Sequence, residues 1–298
     1  MRIAFTGKGG SGKTTVASLF ARVAAQDGHT VLAMDADINQ HLASAVGYTG
    51  QLRSMGTESG TIKRHLLGTN PHATVKTMHK TMPPGHGSQL VRVTPDDWFI
   101  REFAATHQGV WLAGAGEIPE GNVGVRCYHG LNGAVELVLG HMIDQQQDIV
   151  VVDMTAGADA FSSSLFTKVD ALMLVVEPTQ KSISVYHQFI DHAKRYGIPL
   201  VVIANKIQDD EDKAFISQYI PVVSAWLPVS GNVRRQERDG SIQAVEPAIA
   251  AALRGVRDDL LAHPIDWQKR ESLAHTMHLR ASELSQIDPD FSLVQAAL

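Results

Sequence analysis

Near the start of the chain a short apolar run, Ile3-Ala4-Phe5-Thr6, passes directly into Gly7-Lys8-Gly9-Gly10-Ser11-Gly12-Lys13-Thr14, and a helical stretch follows. The segment satisfies G-x-x-x-x-G-K-[ST] in the strand–loop–helix context that gives the pattern its meaning. Few features restrict a fold so tightly. The glycines let successive backbone N–H groups converge on one concavity, and the helix that begins near Lys13 adds its N-terminal partial positive charge, so the loop is built to cradle phosphate. Gly7, Gly9, Gly10, Ser11 and Gly12 form the candidate cradle. Lys13 is the candidate cation for the β and γ phosphates of a nucleotide, Thr14 the candidate Mg²⁺ ligand, and Thr15 is placed to reach the α-phosphate.

The rest of the chain repeats the rhythm that this motif begins. Apolar runs at Val31 to Met34, Ile149 to Val152, Ala171 to Val176, Leu200 to Ala204 and Val222 to Trp226 alternate with helical stretches, which predicts βαβ units and a parallel sheet. Ile149-Val150-Val151-Val152 and Leu172-Met173-Leu174-Val175-Val176 are apolar without alternation, so helices should cover both sheet faces. The expected fold is therefore α/β: a P-loop NTPase three-layer sandwich with a mostly parallel sheet. Glycines and prolines break the rhythm between Gly50 and Val110. The expected organisation is one domain over residues 1–298, with an insertion at about 50–110 and a helical extension at about 242–298. In that extension Val245, Ile249, Leu253, Val256 and Leu260 share one helical face, with Pro247 suited to the first turn. Leu273, Met277, Ala281 and Leu284 form a second stripe.

Composition narrows the function classes. The formal net charge of -5 provides no general attraction for nucleic acid, whose binding rests on Lys and Arg contacts to phosphates. No apolar run approaches membrane-spanning length, and neither C-terminal stripe has the basic flank of a membrane-surface helix. The apolar start is too short for a secretory signal, and the single cysteine, Cys127, excludes an intrachain disulfide, so a cytoplasmic protein is expected.

Lys8 lies inside the loop and makes it Lys-Gly-Gly-x-Gly-Lys-Thr, which resembles the deviant Walker A motif. The family carrying it includes the septum-site protein MinD, the partition protein ParA, nitrogenase iron protein and the arsenite-pump and tail-anchored-protein ATPases. The resemblance implies an ATP hydrolase that forms a homodimer on ATP binding, with Lys8 reaching the partner's phosphates much as an arginine finger does. It also implies that Asp37, in Asp35-Ala36-Asp37 after the second strand, orients or deprotonates the attacking water; the alternative is that both aspartates only cap the following helix. Asp153, at the end of a strand, fits the Walker B role of holding Mg²⁺. Gly157 can then bring a backbone N–H toward the γ-phosphate. Asn205-Lys206-Ile207-Gln208 places Gln208 where a guanine-selecting aspartate would stand, with Asp209 one position late. Asn205 resembles the family's adenine contact, Lys206 belongs to the same base-site segment, and the loop around Leu227-Pro228 closes the other side.

Over most of residues 1–230 the chain resembles the CooC-like maturation ATPases, through Asp153-Met154-x-Ala156-Gly157 and Val175-Val176-Glu177-Pro178. Those proteins carry a Cys-x-Cys metal motif where this chain has Cys127-Tyr128-His129. Cys127 and His129 from two subunits could make a four-ligand Zn²⁺ or Ni²⁺ site, or Cys127 could simply pack beside the next helix. The seven-residue spacing of His72, His79 and His86 is broken by Pro83-Pro84 and reads as accidental, while His275 and His278 read as solvent-exposed or interface residues. Two roles follow: a dimeric switch assisting maturation or metal loading of a client enzyme, and a positioning ATPase assembling on a scaffold, membrane or DNA.

Overall fold

The computed structural model describes residues 1–117, 121 and 129–285. The elements run β1 (Arg2–Gly7), α1 (Lys13–Gln26), β2 (Thr30–Ala36), α2 (Leu42–Val46), α3 (Ser59–Leu67), β3 (Val91–Arg92), α4 (Trp98–Phe103), β4 (Ala105–His107) and β5 (Val110–Gly114). They continue with α5 (His129–Gly140), β6 (Met142–Ile143), β7 (Asp148–Met154), β8 (Ala171–Val176), α6 (Gln180–Tyr196), β9 (Leu200–Ile207) and α7 (Asp210–Tyr219). The last are β10 (Ala225–Pro228), α8 (Gly231–Asp239), α9 (Pro247–Leu261) and α10 (Trp267–Ser285).

One eight-stranded sheet runs in the order β10-β9-β8-β1-β7-β2-β5-β4. Every pairing is parallel except that of β4 with β5. Strands β1, β7 and β8 are buried along their whole length, as continuous apolar runs require when helices cover both faces. Alternate residues of each strand feed two cores: Leu32, Val150, Val152, Leu172 and Leu174 on one side, Ile3, Phe5, Ala33, Val151 and Met173 on the other.

The sheet departs from expectation in two places. The last strand is Ala225–Pro228 rather than Val222 to Trp226, and Val222 is 71% exposed, so it belongs to the approach loop. The chain also adds β5 as an internal parallel strand beside β2, and the antiparallel edge strand β4. The segment between Gly50 and Val110 is not separate from the core: Met55, Ile62, Leu66, Met78, Phe99 and Phe103 are buried in the same cluster as Leu32 and Val152. Pro247 occupies the first turn of α9, whose Ile249, Leu253 and Val256 are buried as expected.

α10 differs. Its buried positions are Arg270, His278 and Ser282, while Leu273 and Met277 are only half-buried. Of the two readings of His278, solvent-exposed or interface, the first is corrected: it is 5% exposed and its Nδ1 lies 3.1 Å from Thr81 Oγ1. Two turns earlier on the same helix, Arg270 reaches both Asp144 (2.7 and 2.9 Å) and Asp170. Arg2 Nε donates to the same Asp144 at 2.9 Å. Burial alone would raise the Asp144 carboxyl; the two guanidinium groups overcome it and hold the acid well below the usual carboxylate range. Its contribution is therefore complete at neutral pH and is lost only as pH falls into strong acid. Asp144→Ala leaves Arg2 buried without its carboxylate and should cost about 3–5 kcal/mol, read as a lower urea midpoint with an unchanged slope.

Candidate functional site

The carboxyl ends of the parallel strands face one edge, where α/β sheets bind ligands. The loop after β1 supplies Lys8 and Lys13, β2 leads to Asp37, β7 holds Asp153 and leads to Gly157, β8 leads to Glu177, β9 ends with Asn205 and Lys206, and β10 ends at Pro228.

Two glycines are required by close approach. A Cβ on Gly7 would stand 2.4 Å from the Val175 carbonyl oxygen of β8, so the loop can leave the sheet only through a residue without a side chain. Gly12, the N-cap of α1, sits at φ +92°, and its Cβ would stand 2.4 Å from Asn205 Nδ2. That amide donates instead to the Ser11 carbonyl at 2.9 Å. Asn205 thus braces the loop while lining the same cleft as Thr15, Gln208 and Pro228, a space of about 520 Å³. Asp209 does not enter it: its carboxylate caps α7, accepting from Asp212 N at 3.0 Å.

At the phosphate end, Lys13 Nζ lies 2.5 Å from Asp37 Oδ2, with both side chains largely buried. Asp37 Oδ1 accepts from the Asn39 backbone (3.1 Å) and side chain (3.0 Å). The capping alternative falls on its neighbour: Asp35 accepts from Leu42 N at 2.8 Å, at the start of α2, and from Asp37 N at 3.0 Å. The Asp37 side chain meets the loop through Lys13.

Asp153 and Asp35 are register partners on adjacent strands. Thr14 Oγ1 donates to Asp153 Oδ2 at 2.6 Å, while Asp153 Oδ1 is buried with no partner. Burial first, and then the charge of Asp35, push the Asp153 carboxyl up; burial does the same to Asp35. A desolvated carboxylate with an orphaned oxygen beside a threonine hydroxyl is the donor set a hard divalent cation takes, so Thr14 and Asp153 fit Mg²⁺. Gly157 opens a short 3₁₀ turn, Gly157–Phe161, just beyond β7.

Lys8 and Lys206 meet on a residue whose role sequence reading left unassigned. Glu177 takes Lys8 Nζ at 2.6 Å and Lys206 Nζ at 3.2 Å, and Lys206 also donates to the Gly10 carbonyl at 2.5 Å. The available signal was an acid immediately after a central strand that flanks the loop. Glu237 and Arg234 of α8 also line the cleft, Glu237 Oε1 lying 3.5 Å from Thr15 Oγ1, and nothing in the local pattern marked them.

Cys127 lies outside the described residues, and of His129 only its backbone place at the start of α5 is described. Among the described residues no three or more His, Cys, Asp or Glu side chains form a metal-ligating group. No helix among them is long and apolar enough to cross a membrane.

A phosphate-binding loop at the switch edge of a mostly parallel sheet defines a nucleotide-binding P-loop protein. The model of the CobQ/CobB/MinD/ParA nucleotide-binding domain matches residues 3–246, and the chain belongs to this family. It is 30% identical to the carbon monoxide dehydrogenase accessory protein CooC of Rhodospirillum rubrum over 218 residues, 72% of this chain and 78% of that protein. An uncharacterized ATP-binding protein of Methanocaldococcus jannaschii is 31% identical over 222 residues, 74% of this chain and 80% of its own. Among solved structures, the septum site-determining protein MinD of Pyrococcus horikoshii, complexed with Mg-ADP, superposes with a TM-score of 0.59 at 17% identity, covering 87% of this chain and 94% of that one. That likeness establishes the fold.

Proposed function

We propose that this protein is a Mg²⁺-dependent ATPase of the deviant Walker A type, a nucleotide-switched homodimer that assists maturation or metal loading of a client enzyme in the cytoplasm. The observation that carries the reading is the meeting of Lys13, Thr14, Asp37 and Asp153 at the mouth of the loop. The 30% identity to a carbon monoxide dehydrogenase accessory protein supports the maturation role.

In this reading the backbone N–H groups of residues 9–15 and Lys13 bind the phosphates. Thr14 and Asp153 would hold Mg²⁺, which would supply charge neutralisation to the bound polyphosphate. Asp37 accepts a proton from the attacking water, and Lys13, released from Asp37, holds the transferring phosphoryl group. Gly157 orients a backbone N–H toward the same phosphate, and Lys8 completes the site of the second subunit. Hydrolysis then resets the dimer.

Adenine is the base this cleft suits. Gln208 offers no carboxylate to the two donors of guanine, and Asp209 is engaged in capping α7. Calorimetric titration should give ATP binding with Mg²⁺ and GTP binding weaker by about tenfold or more, since a lost charge-assisted hydrogen-bond pair is worth upward of 1.4 kcal/mol. Asn205→Ala should weaken ATP through both the base contact and the lost brace on Ser11. Equal or tighter GTP binding would overturn the assignment.

A further inference from the structure

Lys8 is the residue on which the dimeric reading turns, and in the single chain its ammonium group is already taken. Glu177 Oε1 holds it at 2.6 Å, with Lys8 about a quarter exposed and Glu177 mostly buried. The contact joins residues 169 positions apart, so it is a product of the fold and not of local geometry.

Glu177 is fixed from behind. It follows β8 directly, its backbone N–H lies 3.3 Å from Ser182 Oγ, and Thr179 Oγ1 accepts from Ser182 N at the start of α6. The β8–α6 corner is therefore tied by its own hydrogen bonds, whereas the residue it grips lies in a glycine-rich loop. Burial alone would raise the Glu177 carboxyl; the hydrogen bonds from Lys8 and Lys206 outweigh burial, and the acid stays charged.

Lys206 makes the arrangement reversible. Its ammonium bridges Glu177 Oε2 and the Gly10 carbonyl, and the residue adopts φ +62°, a left-handed conformation that a lysine enters only at a cost. When Lys8 leaves, Glu177 keeps Lys206 as its counter-ion, so departure does not strand a carboxylate in a desolvated site. One acid holding two lysines can release one.

We infer that Glu177 is a cis latch for Lys8: in the single subunit it parks the lysine, and pairing of two ATP-loaded subunits must break that contact before Lys8 reaches the partner's phosphates. The inference rests on the dimeric reading of Lys8 above. It makes Glu177 a positioning residue that sets the threshold for pairing. The partner's triphosphate offers the lysine one more negative charge than the diphosphate of ADP does, so the latch favours pairing of ATP-loaded over ADP-loaded subunits.

The test uses the full chain with Glu177→Gln, Glu177→Asp and Lys8→Ala. The first readout is labelling of Lys8 by an amine-reactive reagent in the nucleotide-free monomer, followed by mass spectrometry; Glu177→Gln should raise it several-fold, with Glu177→Asp intermediate. The second is sedimentation with a non-hydrolysable ATP analogue and with ADP. Glu177→Gln should dimerise at a protein concentration roughly tenfold lower than wild type, the scale of one coupling between a charged contact and a binding event, and should form some dimer with ADP. Lys8→Ala should not dimerise. Unchanged Lys8 labelling in folded Glu177→Gln, or an unchanged or weaker dimer beside a wild type that pairs normally, overturns the latch. Raised labelling with no ATP-dependent dimer in any variant overturns instead the dimeric reading on which it rests.

Discussion

Asp37→Ala should bind ATP more tightly than wild type and hydrolyse it about 10²–10⁴-fold more slowly, the range that a positioned general base contributes. Both effects come from one contact. Asp37 pairs with Lys13 at 2.5 Å, so in the proposed reaction incoming phosphates compete with a carboxylate for that cation. Removing the carboxylate leaves Lys13 available, while the proposed base is lost. The variant should therefore collect in the ATP state, which makes it the form with which to capture the client from an extract of the producing cell. Calorimetry and single-turnover hydrolysis separate the two effects. If Asp37 served only as a cap, the loss would be about 1 kcal/mol of stability with turnover spared. Asp35, which does accept the N–H of Leu42 at the start of α2, is the internal control for that outcome.

Asp153→Asn should make the nucleotide-free protein more stable and nearly inactive. The carboxylate is fully buried, one oxygen has no partner, and Asp35 stands beside it in register. Burial and that like charge raise its pKa, so its protonated form is favoured in the folded state and stability is lost as pH rises from the ordinary carboxylate range through the raised value. Asparagine keeps an acceptor for the Thr14 hydroxyl and carries no charge. Without Mg²⁺ or nucleotide, the variant should gain about 1–3 kcal/mol near pH 8, because it no longer buries a charge beside Asp35. At roughly 2–4 °C per kcal/mol this is a measurable rise in Tm. The difference should vanish toward pH 4, where the wild-type carboxyl is protonated. Mg²⁺-dependent hydrolysis should fall by about a hundredfold or more. A variant that melts below wild type at pH 8 would show that Asp153 is structurally satisfied and would remove the argument for a cation site there.

The loop from Gly7 to Thr14 was legible in sequence because every requirement it meets is local: eight consecutive residues, a strand before and a helix after. Asp37, Asp153 and Asn205 were legible for a related reason, since each follows or ends an apolar run, and parallel strands deliver all their carboxyl ends to one edge. Ile149 to Val152 and Ala171 to Val176 announced a sheet covered on both faces through their lack of alternation. β5 was hidden because it is five residues long and ends a segment rich in chain breakers, so only its pairing with β2 makes it a strand. His278 misled for the opposite reason: a polar residue on a helix reads as exposed unless the surface beneath is known, and here that surface carries Thr81. Which carboxylate holds which lysine was decided by tertiary structure alone. Lys13 meets Asp37 across 24 positions and Lys8 meets Glu177 across 169, and charge partners at such separations leave no periodicity in the chain. Local chemistry therefore determined where the candidate phosphate cradle lies, and the packing of strands determined which charged groups meet around it.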